Sequence, residues 1–413
     1  MKRRVVITGL GAITPVGNNV NDFWNSIKEG VNGIDKITHF DTTDFKVKLA
    51  AEVKDFKAED FMDRKQAKRM DRFSQFAMAA TKEAMEDSKI DLDNYDRERV
   101  SIIFGSGIGG IETIQDQIRV LDKKGPGRIS PLTIPMAISN IASGNMAIEY
   151  GIKGSCISVT TACATSSHAI GEAFRNIRDG YSDIVISGGT EASVTEFSIA
   201  GFQALTALSK SEDRNRASIP FDKDRNGFVM GEGAGVIILE ELESALKRGA
   251  KIYGEIVGYG TTCDAYHMTS PSLDGEGAAR SMKNALADAD ISEDKIGYIN
   301  AHGTSTEIND KVETLAIKKA FPESYNDVLV SSTKSMTGHL LGAAGAIEAI
   351  ISIKSLEDGF VPATINYINS DEACDLNLVT NNGQVKDIEF AMSNSLGFGG
   401  HNATLIFKKW GNK

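Results

Sequence analysis

Cys163 has the sequence setting of a catalytic nucleophile. It stands in residues 158–169, SVTTACATSSHA, where a β-branched stretch gives way to small residues with helical spacing. This pattern predicts a strand, a turn at Cys163 and then a helix. The N-terminus of that helix would direct free N–H groups toward the sulfur and lower the pKa of the thiol from its usual value of about 8.5. The alternative is a small buried hydrophobic residue, the more common role of a free cysteine.

Two histidines follow other predicted strands. His302 ends the short apolar run GYINAH at 297–302, and His339 comes after the strand-like segment that begins at Val330. Catalytic groups of α/β folds emerge at such strand ends. Each histidine alone could be a structural residue bonded to backbone. Together with Cys163, they favour one shared active site.

Four segments of the sequence, taken in order, resemble those of β-ketoacyl-acyl-carrier-protein synthases. They are TTACATS at 160–166, NAHGTST at 300–306, STKSMTGHLLGAAG at 332–345 and NSLGFGGHN at 394–402. The resemblance extends over essentially the whole chain and includes the elongating synthases of bacterial type II fatty acid synthesis. It implies the thiolase fold, an α/β fold with duplicated half-domains in a five-layered α-β-α-β-α architecture. The halves would be residues 1–251, with the nucleophile, and 252–413, with both histidines.

The resemblance implies a decarboxylative Claisen condensation. Cys163 would carry the acyl chain as a thioester, and malonyl-acyl carrier protein would lose CO2 to form an enolate that attacks it. Neutral His302 and His339 would donate N–H bonds to the enolate oxygen. The backbone N–H groups of Cys163 and Phe398 would hold the second oxyanion. The product would be 3-oxoacyl-acyl carrier protein.

Two supporting roles also follow from the resemblance. Lys334 would organise His339 electrostatically while paired with Glu348. Without the motif, a surface cation is an equally good interpretation of Lys334. Phe398 lies among glycines, so it resembles a movable gate, with a core aromatic as the alternative. The resemblance also implies four residues as walls of the acyl pocket, with core packing as the alternative for each. They are Ile108, Ala162, Phe202 and Leu340.

Three of the other histidines receive no catalytic role. His168 is expected to be a satisfied packing residue, His267 resembles part of a loop that borders the malonyl entrance, and His401 is left unassigned. Thr206 stands where some relatives carry an arginine for carrier contact.

The segment 105–110, GSGIGG, matches the dinucleotide-binding pattern G-x-G-x-x-G. That pattern normally lies in the first strand–helix unit and precedes an acidic residue by about 20 positions. Here it comes late, and Asp122 lies in a stretch rich in Lys, Gly and Pro. We therefore expect no nicotinamide cofactor, and no cofactor or metal of any kind. The glycines are expected instead to let backbone approach the active site.

Composition restricts the function classes. The formal net charge of −11 argues against general nucleic-acid binding. No run approaches the roughly 20 apolar residues of a membrane span, and Gly9 and Gly11 interrupt the N-terminal apolar run, which predicts a first strand rather than a signal peptide. The four cysteines show no metal spacing, so reduced thiols and a cytoplasmic location are expected.

Two basic clusters are candidate docking surfaces for acidic acyl carrier protein. One lies at 63–69 and the other at 121–128, and a solvated charged face is the alternative for both. Their cations are Lys65, Lys68, Arg69, Lys123, Lys124 and Arg128. The resemblance also implies a homodimer with pockets near its interface.

Strand-like and helical segments alternate, which predicts a layered α/β sheet. From Cys163 to Gly180 the sequence has a helix start rich in small residues, then a helix and then Asp-Gly. The same order of features recurs from Gly338 to Gly359, before another strand-like segment. This favours a duplicated unit.

Alternative functions are a β-ketoacyl synthase I, a polyketide ketosynthase and, from another class, a noncatalytic chain-length partner subunit. Such a subunit typically lacks the nucleophile, whereas Cys163 is present. A thiolase needs a second active-site cysteine near the C-terminus, and residues 397–400 contain none.

Overall fold

The computed structural model describes residues 2–411. Met1 and residues 412–413, which the two expected halves include, lie outside this range. The strands are β1 Val5–Ile13, β2 Asp35–Lys36, β3 Leu49–Ala50, β4 Val100–Gly105, β5 Cys156–Val159, β6 Ile184–Glu191, β7 Gly233–Glu241, β8 Gly254–Cys263, β9 Ile296–Asn300, β10 Leu329–Ser331, β11 Phe360–Val361, β12 Gln384–Val385, β13 Phe390–Gly397 and β14 His401–Lys409. The α-helices are α1 Val20–Glu29, α2 Arg64–Ala67, α3 Arg72–Ser88, α4 Ile111–Lys124, α5 Thr133–Ala137, α6 Ile141–Tyr150, α7 Thr165–Arg178, α8 Glu196–Ala204, α9 Leu242–Lys247, α10 Glu276–Ala289, α11 Glu307–Ala320, α12 Lys334–Thr337 and α13 Ala344–Asp358.

The main sheet consists of two halves with the same topology. Its ten strands follow the order β10-β9-β13-β14-β8-β1-β7-β6-β4-β5. In the first half β5, β4 and β6 are parallel, and β7 and β1 continue antiparallel. In the second half β10, β9 and β13 are parallel, and β14 and β8 continue antiparallel. A short pairing between β1 and β8 joins the halves. The duplication predicted from the sequence is therefore confirmed.

Two helices lie between the half-sheets. Helix α7 packs on β6 and β4 of the first half and also on β14, while α13 packs on β13 of the second half and on β7. Both are buried almost all round, which a helix between two apolar layers requires. Gly345 lets α13 approach α7, since a Cβ there would overlap Ser167. With α3 and α10 on the outer faces, the five-layered α-β-α-β-α architecture is confirmed.

The repeat differs from the sequence prediction in one respect. The strand-like segment after Gly359 is β11, which pairs only with β12 in a separate two-stranded sheet. The counterpart of β6 is β13, which begins at Phe390. An insertion between α13 and β13 therefore separates the helix from its matching strand in the second half.

The central strands are apolar along their length because layers cover both faces. Every residue of β1, β4 and β6 is buried, as is typical of such strands. The N-terminal apolar run thus forms the first strand, as predicted. Within residues 2–411, no helix is long and apolar enough to cross a membrane, and all four cysteines are free thiols.

Candidate active site

The predicted catalytic residues follow the carboxyl ends of parallel strands in both halves. Cys163 follows β5 in the first half, whereas His302 follows β9 and His339 comes after β10 in the second. Phe398 follows β13. Because the layers bring these strand ends together, all four residues line one cavity of about 590 Å³. The shared site expected from the sequence is therefore formed by both halves.

A strained turn presents the Cys163 side chain. A 3₁₀ turn spans Ala162–Ala164 and leads directly into α7. Ala162 has a φ of 51°, in the left-handed region that side chains rarely adopt. The turn is held by the hydroxyl of Thr165, which accepts the N–H of Thr161 at 2.8 Å. Strain fixed in this way is common where a side chain must be aimed at a substrate.

The pKa of Cys163 differs from the sequence prediction. The thiol is only 9% exposed, and its burial raises the pKa to about 12. The positive charge of Lys334 and the backbone N–H of Phe398 act in the opposite direction without cancelling the effect of burial. The predicted lowering of this pKa is therefore wrong. At neutral pH the resting thiol is protonated, so it must lose its proton as it attacks a thioester.

The backbone at His302 is held by a carboxylate that the sequence prediction missed. Glu313, on α11, accepts the N–H of His302 at 2.8 Å and that of Gly303 at 2.7 Å. Glu313 is buried, and its burial raises the pKa of the carboxyl to about 7. A signal was present: Glu313 shares a helix face with Ala316 and Ile317, where an apolar residue is expected.

The two imidazoles lie against each other. Their ring centroids are 5.3 Å apart, at an angle of 84°. Each Nδ1 is buried and has no hydrogen-bond partner among residues 2–411, so Nε2 is the nitrogen that a substrate in the cavity can reach. Burial and the charge of Lys334 lower the pKa of both His302 and His339 well below its usual value. Both rings are therefore neutral at physiological pH.

Lys334 and Glu348 form an ion pair beneath the histidines, and each side chain is only 1% exposed. The surface position considered for Lys334 is therefore wrong. Burial raises the pKa of Glu348 to about 7, against the opposing charge of Lys334. Because a buried ion pair is costly to form and costlier to break, Lys334 is a fixed positive charge behind the imidazoles.

The expected acyl-pocket residues separate into two groups. Phe202 lines the cavity, with its ring 6.3 Å from that of Phe398. Ala162 and Ile108 do not line this cavity: Ala162 lies in the turn at Cys163, and Ile108 is 36% exposed between β4 and α4. Leu340 does not line the cavity: it is fully buried in the core, where Gly233 leaves room for it. For Leu340 the core alternative holds.

His168 is a packing residue with both nitrogens satisfied, as expected: Thr161 and Thr261 contact them at 2.8 and 3.0 Å. Its burial lowers the pKa to about 4. His401 stacks edge-on against it.

The loop of His267 borders the cavity. The ring Nδ1 accepts the N–H groups of Thr269 and Ser270, and both of these residues line the cavity. Thr206 also lines it and is exposed, so this part of the rim carries no arginine. In the described part of the chain, no group of three or more His, Cys, Asp or Glu side chains could hold a metal ion.

The six cations of the two basic clusters are exposed, and none forms an ion pair with a carboxylate of residues 2–411. Lys65 lies in α2, and Lys123 and Lys124 end α4. These charges are free to meet an acidic partner.

Comparison with known proteins places the chain among condensing enzymes. Family models for the β-ketoacyl synthase N-terminal and C-terminal domains match residues 2–245 and 253–368. The 3-oxoacyl-[acyl-carrier-protein] synthase 2 of Synechocystis sp. is 53% identical over 410 residues. The protein of the same name from Staphylococcus aureus is 52% identical over 408 residues. Each alignment covers 99% of this chain and 99% of the relative.

Solved structures agree along the whole chain. A β-ketoacyl synthase from Burkholderia phymatum has a TM-score of 0.91 at 34% identity and covers 98% of this chain and 99% of its own. A type II polyketide ketosynthase, solved in complex with its acyl-carrier protein, has a TM-score of 0.92 at 36% identity and covers 100% of both chains. The chain belongs to the β-ketoacyl synthase family.

Proposed function

We propose that this protein is an acyltransferase that elongates fatty acids. It condenses an acyl group held on Cys163 with malonyl-acyl carrier protein, giving 3-oxoacyl-acyl carrier protein and CO2. The observation that carries the proposal is the cavity in which one thiol faces two neutral imidazoles. Near-full-length relatives named 3-oxoacyl-[acyl-carrier-protein] synthase 2 support the substrate class.

In the first half-reaction the Cys163 sulfur attacks the thioester carbonyl of acyl-acyl carrier protein and gives up its proton. The carrier thiol leaves with that proton. The N–H of Phe398, which already points at the sulfur, is placed to hold the oxyanion together with the N–H of Cys163. The acyl chain then occupies the cavity beside Phe202.

In the second half-reaction malonyl-acyl carrier protein enters and its C–C bond to the carboxylate breaks. The electron pair becomes an enolate, whose oxygen accepts hydrogen bonds from Nε2–H of His302 and His339. Two neutral donors serve this purpose without adding a charge that would hold the carboxylate in place. The enolate carbon attacks the acyl carbonyl, and the Cys163 thiolate leaves and takes up one proton from solvent.

The proposal is tested with purified protein, acyl-acyl carrier protein and malonyl-acyl carrier protein. We expect 3-oxoacyl-acyl carrier protein, CO2 and, without malonyl donor, an acyl mass on the Cys163 peptide. A protein that acylates no cysteine and releases no CO2 would contradict it. Repeated extension without reduction would instead favour the polyketide alternative, which the 36% identical ketosynthase brings into consideration.

We further propose that acyl carrier protein docks on the two basic clusters, since their charges are exposed and unpaired. Reversing Lys65, Lys68 and Arg69 to Glu should raise the KM for acyl-acyl carrier protein about 10- to 100-fold at low salt, because a negative surface would repel an acidic partner. The difference should shrink as salt is added. Steady-state kinetics at two salt concentrations measures both effects.

The matched control reverses Lys283, Lys319 and Lys386, which are also exposed and unpaired among the described residues. This triple variant carries the same charge change on the second half and should keep the KM of the unmodified protein. Equal KM values for the two triple variants would favour the solvated-surface alternative.

The same proposal includes a homodimer. Strand β5 ends the main sheet, so one side of it has no strand partner in the described part of the chain. Around it lie exposed apolar side chains: Ile148 is 81%, Ile157 50% and Tyr181 73% exposed. Such an edge, left open, is a pairing site for another strand.

Ile157→Lys should therefore shift the protein toward monomer in sedimentation velocity, because the new charge would be buried in the interface. Val385→Lys, at an 88% exposed position on the distant β12, is the control. A monomeric unmodified protein would refute the dimer.

We also propose a cytoplasmic location, supported by the four free thiols, and a division of the chain at 251/252. The gap between the two matched family domains supports that boundary.

A further inference from the structure

Glu191 has a buried carboxylate that the catalytic scheme does not use. It is the last residue of β6 and is 0% exposed. No Lys, Arg or His side chain of residues 2–411 forms an ion pair with it. A buried carboxylate without a cation is costly unless hydrogen bonds replace its water shell. Its retention in the core needs a reason other than packing.

Five donors surround this carboxylate. Oε2 accepts the N–H of Gly107 at 2.9 Å and that of Gly342 at 3.0 Å. Oε1 accepts the N–H of Ile108 at 3.2 Å. The hydroxyls of Ser106 and Ser193 also donate to Oε1, each at 3.2 Å. The donors come from three separate segments, one of them in the second half of the molecule.

The glycines of the G-x-G-x-x-G segment at 105–110 are explained by this arrangement. A Cβ on Gly107 would lie 2.6 Å from Oε2 of Glu191, and a Cβ on Gly342 would lie 2.7 Å from the same atom. Only glycine lets both backbones approach. The segment is thus a cradle of N–H groups, as in phosphate-binding loops, but it holds a carboxylate of the chain itself.

The cradle connects parts of the active site. Ile108 is an expected wall of the acyl pocket, and Gly342 belongs to the turn that follows His339 and opens into α13. Glu191 is also close enough to Cys163 for its charge to influence the thiol. One carboxylate therefore binds both the segment of Ile108, expected to border the acyl chain, and the turn that follows His339.

We propose that Glu191 is a positioning residue that fixes the acyl-pocket wall at Ile108 relative to the turn after His339, and thereby sets which acyl chain lengths the enzyme accepts. The proposal rests on the proposed condensation. A displaced wall would obstruct chains long enough to pass Ile108, whereas short chains would end before it.

The first test is Glu191→Gln, which keeps the shape but turns an NH2 group toward N–H donors. The kcat/KM for long-chain acyl-acyl carrier protein should fall about 10- to 100-fold relative to that for a short chain, the effect of losing a charged buried hydrogen bond. Rates are normalised to enzyme whose Cys163 reacts with iodoacetamide, so loss of folded protein does not enter the ratio.

The second test leaves the charge in place. Gly107→Ala should displace the carboxylate sterically and shift the chain-length ratio in the same direction. Gly144→Ala, in α6, is the control, because the nearest atom to its new Cβ is 3.8 Å away on Ile141. Gly107→Ala decides the question if the glutamine variant does not fold.

The outcomes separate the two levels of the proposal. If the unmodified protein forms no 3-oxoacyl product, the proposed function fails. If it does, and Gly107→Ala retains the unmodified ratio of long-chain to short-chain kcat/KM, the role of Glu191 is refuted. An equal loss of kcat/KM at every chain length, after normalisation to enzyme with reactive Cys163, would also refute it. A residue with a merely structural role would act in that way.

Discussion

Cys163→Ala is expected to abolish condensation, lowering the rate at least about 10⁴-fold, because no other cysteine of residues 2–411 lines the cavity to carry the acyl chain as a thioester. The fold should persist, since the change removes one sulfur atom from a residue that lines a cavity. The rate of 3-oxoacyl-acyl carrier protein formation measures the loss, and the protein mass after incubation with acyl-acyl carrier protein should show no adduct.

Cys374→Ala is the matched control. Cys374 is a free cysteine that is 2% exposed and packs in the core of the second half, away from the cavity lining. This variant should elongate at the unmodified rate. Elongation by the Cys163→Ala variant would overturn the mechanism.

His302→Ala or His339→Ala should slow decarboxylation of malonyl-acyl carrier protein about 10²- to 10³-fold, the usual effect of removing one preorganised oxyanion donor. The enolate oxygen would lose one of its two N–H bonds. Released CO2 gives the measurement, and it can be followed in the absence of an acyl donor. Unchanged CO2 release in both variants would remove the enolate assignment.

The pH profile provides a second readout. Because burial and Lys334 hold the pKa of both histidines well below the usual value, each ring stays neutral as pH falls from about 8 to about 6. Protonation of the two rings should therefore leave the decarboxylation rate unchanged over this interval and should lower it only at lower pH. A decline centred near the ordinary histidine pKa would indicate solvated imidazoles. His39→Ala, outside the cavity lining, serves as the control for both readouts.

The parts of the site that could be predicted from the sequence are those encoded locally. The strand before Cys163, the turn and helix α7 lie within one continuous segment, and the segments of His302 and His339 each contain their own strand end. The halves repeat the same order of elements, so the layered fold was also readable from alternation and from the recurring helix. The insertion after α13 could not be predicted from the sequence, because β11 has the composition of a strand that continues the main sheet.

What could not be predicted depends on contacts between distant segments. Glu313 differs from an ordinary charged residue only by its place on an apolar helix face, and Glu191 does not differ at all, until packing buries both and surrounds them with N–H groups. The pKa of Cys163 was predicted in the wrong direction, since a helix start is visible in sequence but the depth of burial is not. The prediction that Leu340 is a wall of the acyl pocket depended on a similar contact. Its neighbour Leu341 lies in the hydrophobic cluster that contains Cys163, whereas Leu340 lies in the main core cluster.

The duplication also bears on when the protein becomes chemically competent during folding. Cys163 belongs to the first half, while His302, His339 and Lys334 all belong to the second. A chain in which only the first half has folded would have a thiol without the imidazoles that donate to the enolate, and one with only the second half would have imidazoles without the acylated thiol. Docking of the half-sheets across α7 and α13 is thus the step that creates activity. Recovery of activity during refolding should report the docking of the halves rather than the folding of either one.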